Sequence, residues 1–386
     1  MSNLMDYLAW RGDLPFEAVP FDEVDAAVCS MLCYLSPGEK AMAGSAALEE
    51  VLPDMLESAA GGNQYAKERA AMAEKLPGCP RYAGLRIRAF INRVDMEEAL
   101  QFSAMVITLP GGDDVVAFRG TDSTLAGWEE NFVMCYETPV PAQSAAAAYL
   151  AAVAETSARP LWAVGHSKGG NLAVYAAAHT PPEVRARLKG VYSLDGPGLD
   201  EETLSSAAYR SLEGRLHALI PQGSIIGLLM GYHSKYTIVR SSAGGLQQHD
   251  VFSWQVERGA FLRESETSFS SQTADSALHD WLRQASPRER RVFVTTVFDT
   301  LKRTGATTTA EIRKDPARLI AAIGQTTLDL DPETRRMVLS LFGQFVALGA
   351  ASALNVGLKM DWARALENLL TPKASEANTD AGKPAD

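Results

Sequence analysis

Ser167 sits where a serine can react. It lies in Gly165-His166-Ser167-Lys168-Gly169. The apolar run Leu161-Trp162-Ala163-Val164 leads into that segment, and Leu172, Ala173, Ala176 and Ala177 follow at helical spacing. Strand, tight turn, helix is the context of a nucleophile elbow. Gly165 and Gly169 lack a Cβ and let the helix return close to the strand. Ser167 then presents its hydroxyl at a helix start, where free N–H groups favour developing negative charge. The chemistry of such a serine is attack on an acyl carbon through a covalent intermediate. The competing reading is a glycine turn without chemistry, since the pattern itself fixes only three positions.

A serine hydroxyl needs a base to take its proton and a third group to orient that base. In elbow-bearing α/β sheets the chain order is serine, then an acid, then histidine, on loops after later strands. His249 follows the last strand-like stretch, within Gly244-Gly245-Leu246-Gln247-Gln248-His249-Asp250. Of the six histidines, His166 adjoins the serine and should point away from it, and His179 ends the elbow helix. His217 lies inside a strand and His279 lies beyond the sheet. His233 is the rival to His249, and a surface loop residue bonded to Asp250 is the plain alternative for His249 itself. Asp195, at the end of the strand after the elbow unit, is the candidate acid; Asp200 and Asp250 are alternatives, and a turn before Gly196-Pro197 is the non-catalytic one. The oxyanion would meet the backbone N–H of Lys168 and a donor from Phe118-Arg119-Gly120-Thr121, where Thr121 offers N–H and hydroxyl. A β-turn at Gly120 is the alternative there.

These residues need elements to hold them. Residues 1–80 read as helices, with apolar spacing over Asp22–Leu35, Ala46–Ala60 and Tyr65–Leu76 and stops at Pro37-Gly38, Gly61-Gly62 and Pro77-Gly78. They predict an N-terminal helical cap with no chemistry of its own. From Gly84 the period is two, and Gly111-Gly112-Asp113-Asp114 joins Gln101–Leu109 to Val115–Phe118 as a hairpin. An alanine-rich helix over 145–154 and strands at 161–164, 190–194, 216–220 and 236–239 follow. Strands alternating with helices predict a mostly parallel sheet with an antiparallel start. The domain expectation is a helical segment 1–80, a core 81–285, a helical extension 286–370 and a disordered tail 371–386. Ser286-Pro287-Arg288-Glu289 has capping-box spacing, Gly305 closes that helix, and Asp331-Pro332 starts another. Residues 337–358 are apolar and free of formal charge. Gln344, Asn355 and small residues within them favour a buried helix or a peripheral membrane contact over a span.

The chain has 386 residues, 46% hydrophobic and 22% charged, with a net charge of −11. That balance suits a soluble globular protein and argues against a nucleic-acid partner, which needs a basic surface. The four cysteines, Cys29, Cys33, Cys79 and Cys135, form no C-x-x-C pair, so neither zinc nor dithiol chemistry is implied. Cys29 and Cys33 read as buried thiols. Met1–Tyr7 has neither a basic nor an apolar leader, and with free cysteines this predicts a cytoplasmic protein. No internal repeat is present, and composition does not set the oligomeric state.

Phe118-Arg119-Gly120-Thr121, Trp128 with acidic neighbours and Gly165-His166-Ser167-Lys168-Gly169-Gly170 resemble the class 3 lipase family. Asp6-Tyr7-Leu8, Trp10-Arg11-Gly12-Asp13-Leu14, Gly165–Ala173, Asp195-Gly196-Pro197-Gly198 and Gln248-His249-Asp250 resemble more closely a bacterial family of lipase-like α/β-hydrolases. The resemblance covers roughly residues 1–260. It implies an α/β-hydrolase fold, Ser167 as nucleophile and Thr121 as oxyanion residue. Two departures stand out. Class 3 lipases usually carry the acid after the strand that here ends Ile220-Pro221-Gln222-Gly223-Ser224, and no acid stands there. They usually carry an apolar residue after the serine, where this chain has Lys168. A cation there opposes the helix dipole by about 0.3–1 kcal/mol, so Lys168 should either pair with an acid or meet an anionic substrate group. The leading expectation is a serine esterase acting on small or lipid-like acyl esters through Ser167, His249 and Asp195, with Thr121 and Lys168 N–H as oxyanion donors and no metal or organic cofactor. The alternative is a weak or inactive hydrolase fold that binds a lipid or a protein.

Overall fold

The period-two stretches become an eight-stranded sheet in the computed structural model. The structure describes residues 2–267 apart from 123, 135, 225 and 229–234, then 286–308 and residues 311, 312, 318, 321, 322 and 325. The strands are β1 (Ser45–Ala47), β2 (Arg86–Asp95), β3 (Leu100–Thr108), β4 (Asp114–Phe118), β5 (Leu161–His166), β6 (Leu188–Leu194), β7 (Leu216–Pro221) and β8 (Thr237–Val239). They lie side by side in chain order. The first three pairings are antiparallel, and the four from β4 to β8 are parallel. The hairpin expected around Gly111-Gly112 joins β3 to β4. β9 (Val256–Glu257) and β10 (Ala260–Phe261) form a separate small ribbon.

Alternation along the central strands divides the core in two, because successive side chains leave opposite faces of a sheet. Met105, Ile107, Val115, Ala117, Trp162, Val164, Tyr192 and Leu194 share one cluster with the N-terminal helices. Those helices include α1 (Leu4–Arg11), α2 (Glu23–Leu32), α3 (Gly38–Ala43), α4 (Leu48–Ala59) and α5 (Gln64–Lys75). Ala104, Val106, Val116, Phe118, Ala163 and Val191 share the other cluster with α7 (Pro141–Thr156) and α8 (Lys168–His179). Between β4 and α7 lies α6 (Leu125–Val133). The architecture is an α/β-hydrolase fold: a mostly parallel sheet, helices on both faces and an elbow after a central strand. The first eighty residues thus supply one of its two helical layers.

The helix expected from Ala46 begins at Leu48. Ser45–Ala47 instead pair with Arg86–Arg88 as an edge strand. Three residues carry no readable period, and their partner lies some forty positions away. α2 starts as the sequence leads one to expect. Asp22 accepts the N–H groups of Val24 at 2.8 Å and Asp25 at 3.0 Å, and Asp25 returns a bond to Asp22 N–H at 2.8 Å. Asp25 is fully buried and takes Arg81 Nε at 2.8 Å and Tyr82 OH at 2.6 Å. Arg81 also binds the carbonyls of Leu14 and Val19, which fastens the α1–α2 connection.

This cluster makes stability depend on pH. Burial, and then the neighbouring Asp25 carboxylate, pushes the Asp22 carboxyl up to about 7. A group whose folded pKa is raised holds its proton more tightly in the native state. Its contribution is therefore present below the ordinary carboxylate range and is lost as pH rises from about 4 toward 7. Asp22→Asn keeps a capping side chain and removes the titration. Urea midpoints from pH 4 to 8 are expected to fall less steeply with pH in the variant than in the parent. Parallel profiles would contradict this.

The chain divides into two compact units, Met1–Arg291 and Val292–Asp386. α9 (Pro287–Arg303) opens with the expected capping box: Glu289 N–H reaches Ser286 Oγ at 3.3 Å and the Glu289 carboxylate takes Ser286 N–H at 2.7 Å. Gly305 follows it at φ 72°. The 337–358 run, the Asp331-Pro332 start and the 371–386 tail lie outside the described residues. Among the described residues no helix is long and apolar enough to cross a membrane.

Candidate active site

Ser167 joins β5 to α8 with φ 58° and ψ −134°. That backbone is costly for a residue with a side chain and is tolerated where the surroundings hold it. A Cβ on Gly165 would lie 2.1 Å from the Gly169 carbonyl oxygen, and one on Gly169 would lie 2.1 Å from that of Phe118. Both positions must be glycine for helix and strand to approach this closely, as the sequence spacing predicts. Ser167 is half-buried, and Lys168 is the first residue of α8, so its N–H has no intrahelical acceptor.

Asp195 directly follows β6, at φ 48° and 1% exposure. Its Oδ2 lies 2.6 Å from His249 Nδ1, across 54 positions of sequence. Its Oδ1 accepts the Ser224 hydroxyl and, at 3.1 Å, the Gly227 N–H. Ser224 stands after β7, where the class 3 resemblance would place an acid. In this chain that position donates to an acid held one strand earlier. Gly227 and Ser224 are partners the sequence reading missed, because nothing marks a serine in a Gly-Ser loop as a carboxylate donor.

The loop carrying His249 is fastened from three sides. Gln248 accepts Gly223 N–H at 2.9 Å through its side chain and Trp254 Nε1 at 2.8 Å through its carbonyl. His166 Nε2 reaches the His249 carbonyl at 2.8 Å. His166 turns toward the N-terminal helices, away from the serine as expected. Burial, and then the neighbouring His249, holds its ring below the ordinary imidazole range, so it stays neutral. His249 itself bonds Asp195, and among the described residues no hydrogen bond joins it to the Ser167 hydroxyl.

The loop after β4 closes on the elbow. A Cβ on Gly120 would stand 3.1 Å from Ser167 Cβ and 2.6 Å from the His166 carbonyl oxygen. Thr121 follows, and its hydroxyl oxygen accepts Asn131 Nδ2 at 2.6 Å, so its own proton is left to donate. Lys168 takes the first of the two roles open to it. Its ammonium binds Glu130 Oε2 at 2.7 Å and the Gln101 carbonyl at 2.6 Å, with both side chains fully buried. Burial lowers its pKa, and Glu130 opposes that shift. A substrate anion has no access to it. Glu130 also accepts Ala142 N–H at 2.7 Å and Gln101 N–H at 3.2 Å, so it ties α6 to the sheet.

The other candidates lie elsewhere. His179 bonds the Tyr175 carbonyl within α8, and His217 stacks on Tyr192 in the sheet. Asp200 caps a short helix at Thr203 N–H, and Asp250 caps the turn at Phe252 N–H. Cys29, Cys33 and Cys79 are buried free thiols. His233, His279 and Cys135 fall outside the described residues.

Residues 76–299, more than half of the 386, match one family model. The chain belongs to the Mbeg1-like family. The Mbeg1-like family is lipase-like, which agrees with the motif resemblance. No curated protein matches. Among solved structures the chain is similar to that titled "Crystal structure of M37 lipase", at 15% identity and a TM-score of 0.34, over 54% of this chain and 69% of that one. So distant a likeness carries no argument about chemistry.

Proposed function

We propose that this Mbeg1-like protein is a serine hydrolase that cleaves carboxylic esters of lipid-like acyl groups. The observation that carries the reading is the 2.6 Å bond between Asp195 and His249 beside a serine held in elbow geometry. With Nδ1–H given to Asp195, His249 presents an unprotonated Nε2, the form a general base requires. Nε2 takes the Ser167 proton as Oγ attacks the ester carbonyl. The oxyanion of the tetrahedral intermediate receives the Lys168 N–H and Thr121. The imidazolium, stabilised by Asp195, then protonates the departing alkoxide. Water enters by the same steps in reverse order and frees the acid. The lipase-like family supports the lipid-like substrate class.

A fluorophosphonate probe tests this on the full chain, with Ser167→Ala alongside. Labelling of the parent protein alone, followed by turnover of a graded ester panel, is the expected result. A folded parent protein that neither labels nor turns over any ester would remove the reading in favour of a binding protein. Within this scheme Ser224→Ala removes one of the bonds to Asp195. It is expected to slow acylation by roughly tenfold, the worth of one hydrogen bond to a charged group. An unchanged labelling rate would leave Ser224 without a role.

A further inference from the structure

We infer that His166, held by Tyr34, is a positioning residue for His249, so that the N-terminal helical layer sets the orientation of the base. The inference rests on the serine-hydrolase reading above.

The atoms assign their own roles. His166 Nε2 faces the main-chain carbonyl of His249 at 2.8 Å, and a carbonyl only accepts. Nε2 must therefore carry the proton. Nδ1 is then an acceptor, and the Tyr34 hydroxyl donates to it at 3.0 Å. Without that hydroxyl the buried Nδ1 lone pair loses its donor and the ring loses the second of its two fixed contacts. The two imidazoles also lie in contact, with centroids 4.4 Å apart and planes tilted by 36°.

Tyr34 is itself held. The Arg69 guanidinium, from α5, lies 3.8 Å over its ring. Its hydroxyl fits against Gly120, where a Cβ would come within 2.1 Å. A single hydroxyl from the N-terminal layer therefore reaches both the oxyanion loop and the buried histidine.

His249 has need of such an anchor. Its side chain is 28% exposed, so packing alone does not lock it, and it hangs from a short turn. The bond to Asp195 fixes Nδ1 but leaves the ring free to swing about that contact. A fixed main-chain carbonyl removes the swing and, under the hydrolase reading, holds Nε2 ready for the Ser167 proton. His166 is 4% exposed and sits on β5 next to the nucleophile, so it refers the base to the same strand that carries the serine.

The test uses the full chain with Tyr34→Phe, His166→Leu and His166→Gln. Tyr34→Phe keeps the ring and its stacking and guards against a His166 variant that fails to fold. Two quantities are read. One is fluorophosphonate inactivation, resolved into kinact and KI. The other is the low-field NMR proton of the His249–Asp195 bond, which does not depend on activity. Misplacing the base is expected to lower kinact by about 10- to 100-fold in Tyr34→Phe and His166→Leu with KI unchanged. His166→Gln, whose amide N–H reaches the same carbonyl, should recover most of the rate. The low-field proton should persist in the parent protein and His166→Gln and exchange away in His166→Leu. A His166→Leu protein that keeps both kinact and that proton overturns the inference. A parent protein that fails to label overturns the hydrolase reading instead, and the NMR signal then decides the positioning on its own.

Discussion

Ser167→Ala, His249→Ala and the double variant are expected to fall to one shared residual rate of ester hydrolysis, about 10^6-fold below the parent protein. The three agree because the residues act as a unit. Without the base the hydroxyl stays protonated, and without the hydroxyl the base has nothing to activate. Oxyanion donors and binding groups remain in each variant and supply the residue of catalysis. Asp195→Asn is expected to cost about 10^4-fold, because an amide leaves the His249 ring in the wrong tautomer while the site stays assembled. Initial rates on one ester, with each variant checked for folding, read all four values. Losses that add in the double variant would mean that Ser167 and His249 do not serve one step.

The second large effect concerns the pair behind the elbow. Lys168→Met is expected to destabilise the protein by about 3–5 kcal/mol, because it strands a fully buried carboxylate. Glu130 would keep its bonds from Gln101 and Ala142 N–H but lose its countercharge. Glu130→Gln is expected to cost less than Lys168→Met, and less as pH rises, since burial already lowers the Lys168 pKa and the amine can shed its proton. Combining the two changes should recover part of the loss, as removing both charges leaves neither unpaired. Urea unfolding measures all three. A Lys168→Met change below about 0.5 kcal/mol, the usual size of a surface substitution, would contradict the picture. Catalysis should suffer with stability, because Glu130 adjoins Asn131, which holds the Thr121 hydroxyl.

Much of this molecule follows from local pattern. Period two over Leu85–Arg88 and the glycine turn at 111–112 gave the antiparallel start, and Gly165, Ser167 and Gly169 gave the elbow. Those signals are short-range, resting on sterics within a few residues, so the chain states them wherever it lies. The alternation expected as far as Ile91 breaks at a bulge between Arg88 and Ile91, where Ala89 takes φ 52° and Phe90 joins the face of Ile87. The edge strand β1 was illegible because three residues carry no period.

What the chain could only narrow was the set of partners. Asp195, Asp200 and Asp250 were all open as acids, and only the strand order brings Asp195 to His249 while the other two cap turns. Lys168 had two possible fates, and the fold of α6 onto β3 supplied Glu130. Tyr34 carried no signal at all, because its bond to His166 exists only where the turn after α2 meets the end of β5. Elbow, hairpin and the alternation of strands and helices were thus determined by the sequence itself, through backbone sterics and side-chain period. The acid beside the histidine, the partner of Lys168 and the hydroxyl behind His166 were decided by tertiary structure, because each contact joins residues that only sheet order and helix packing bring within reach.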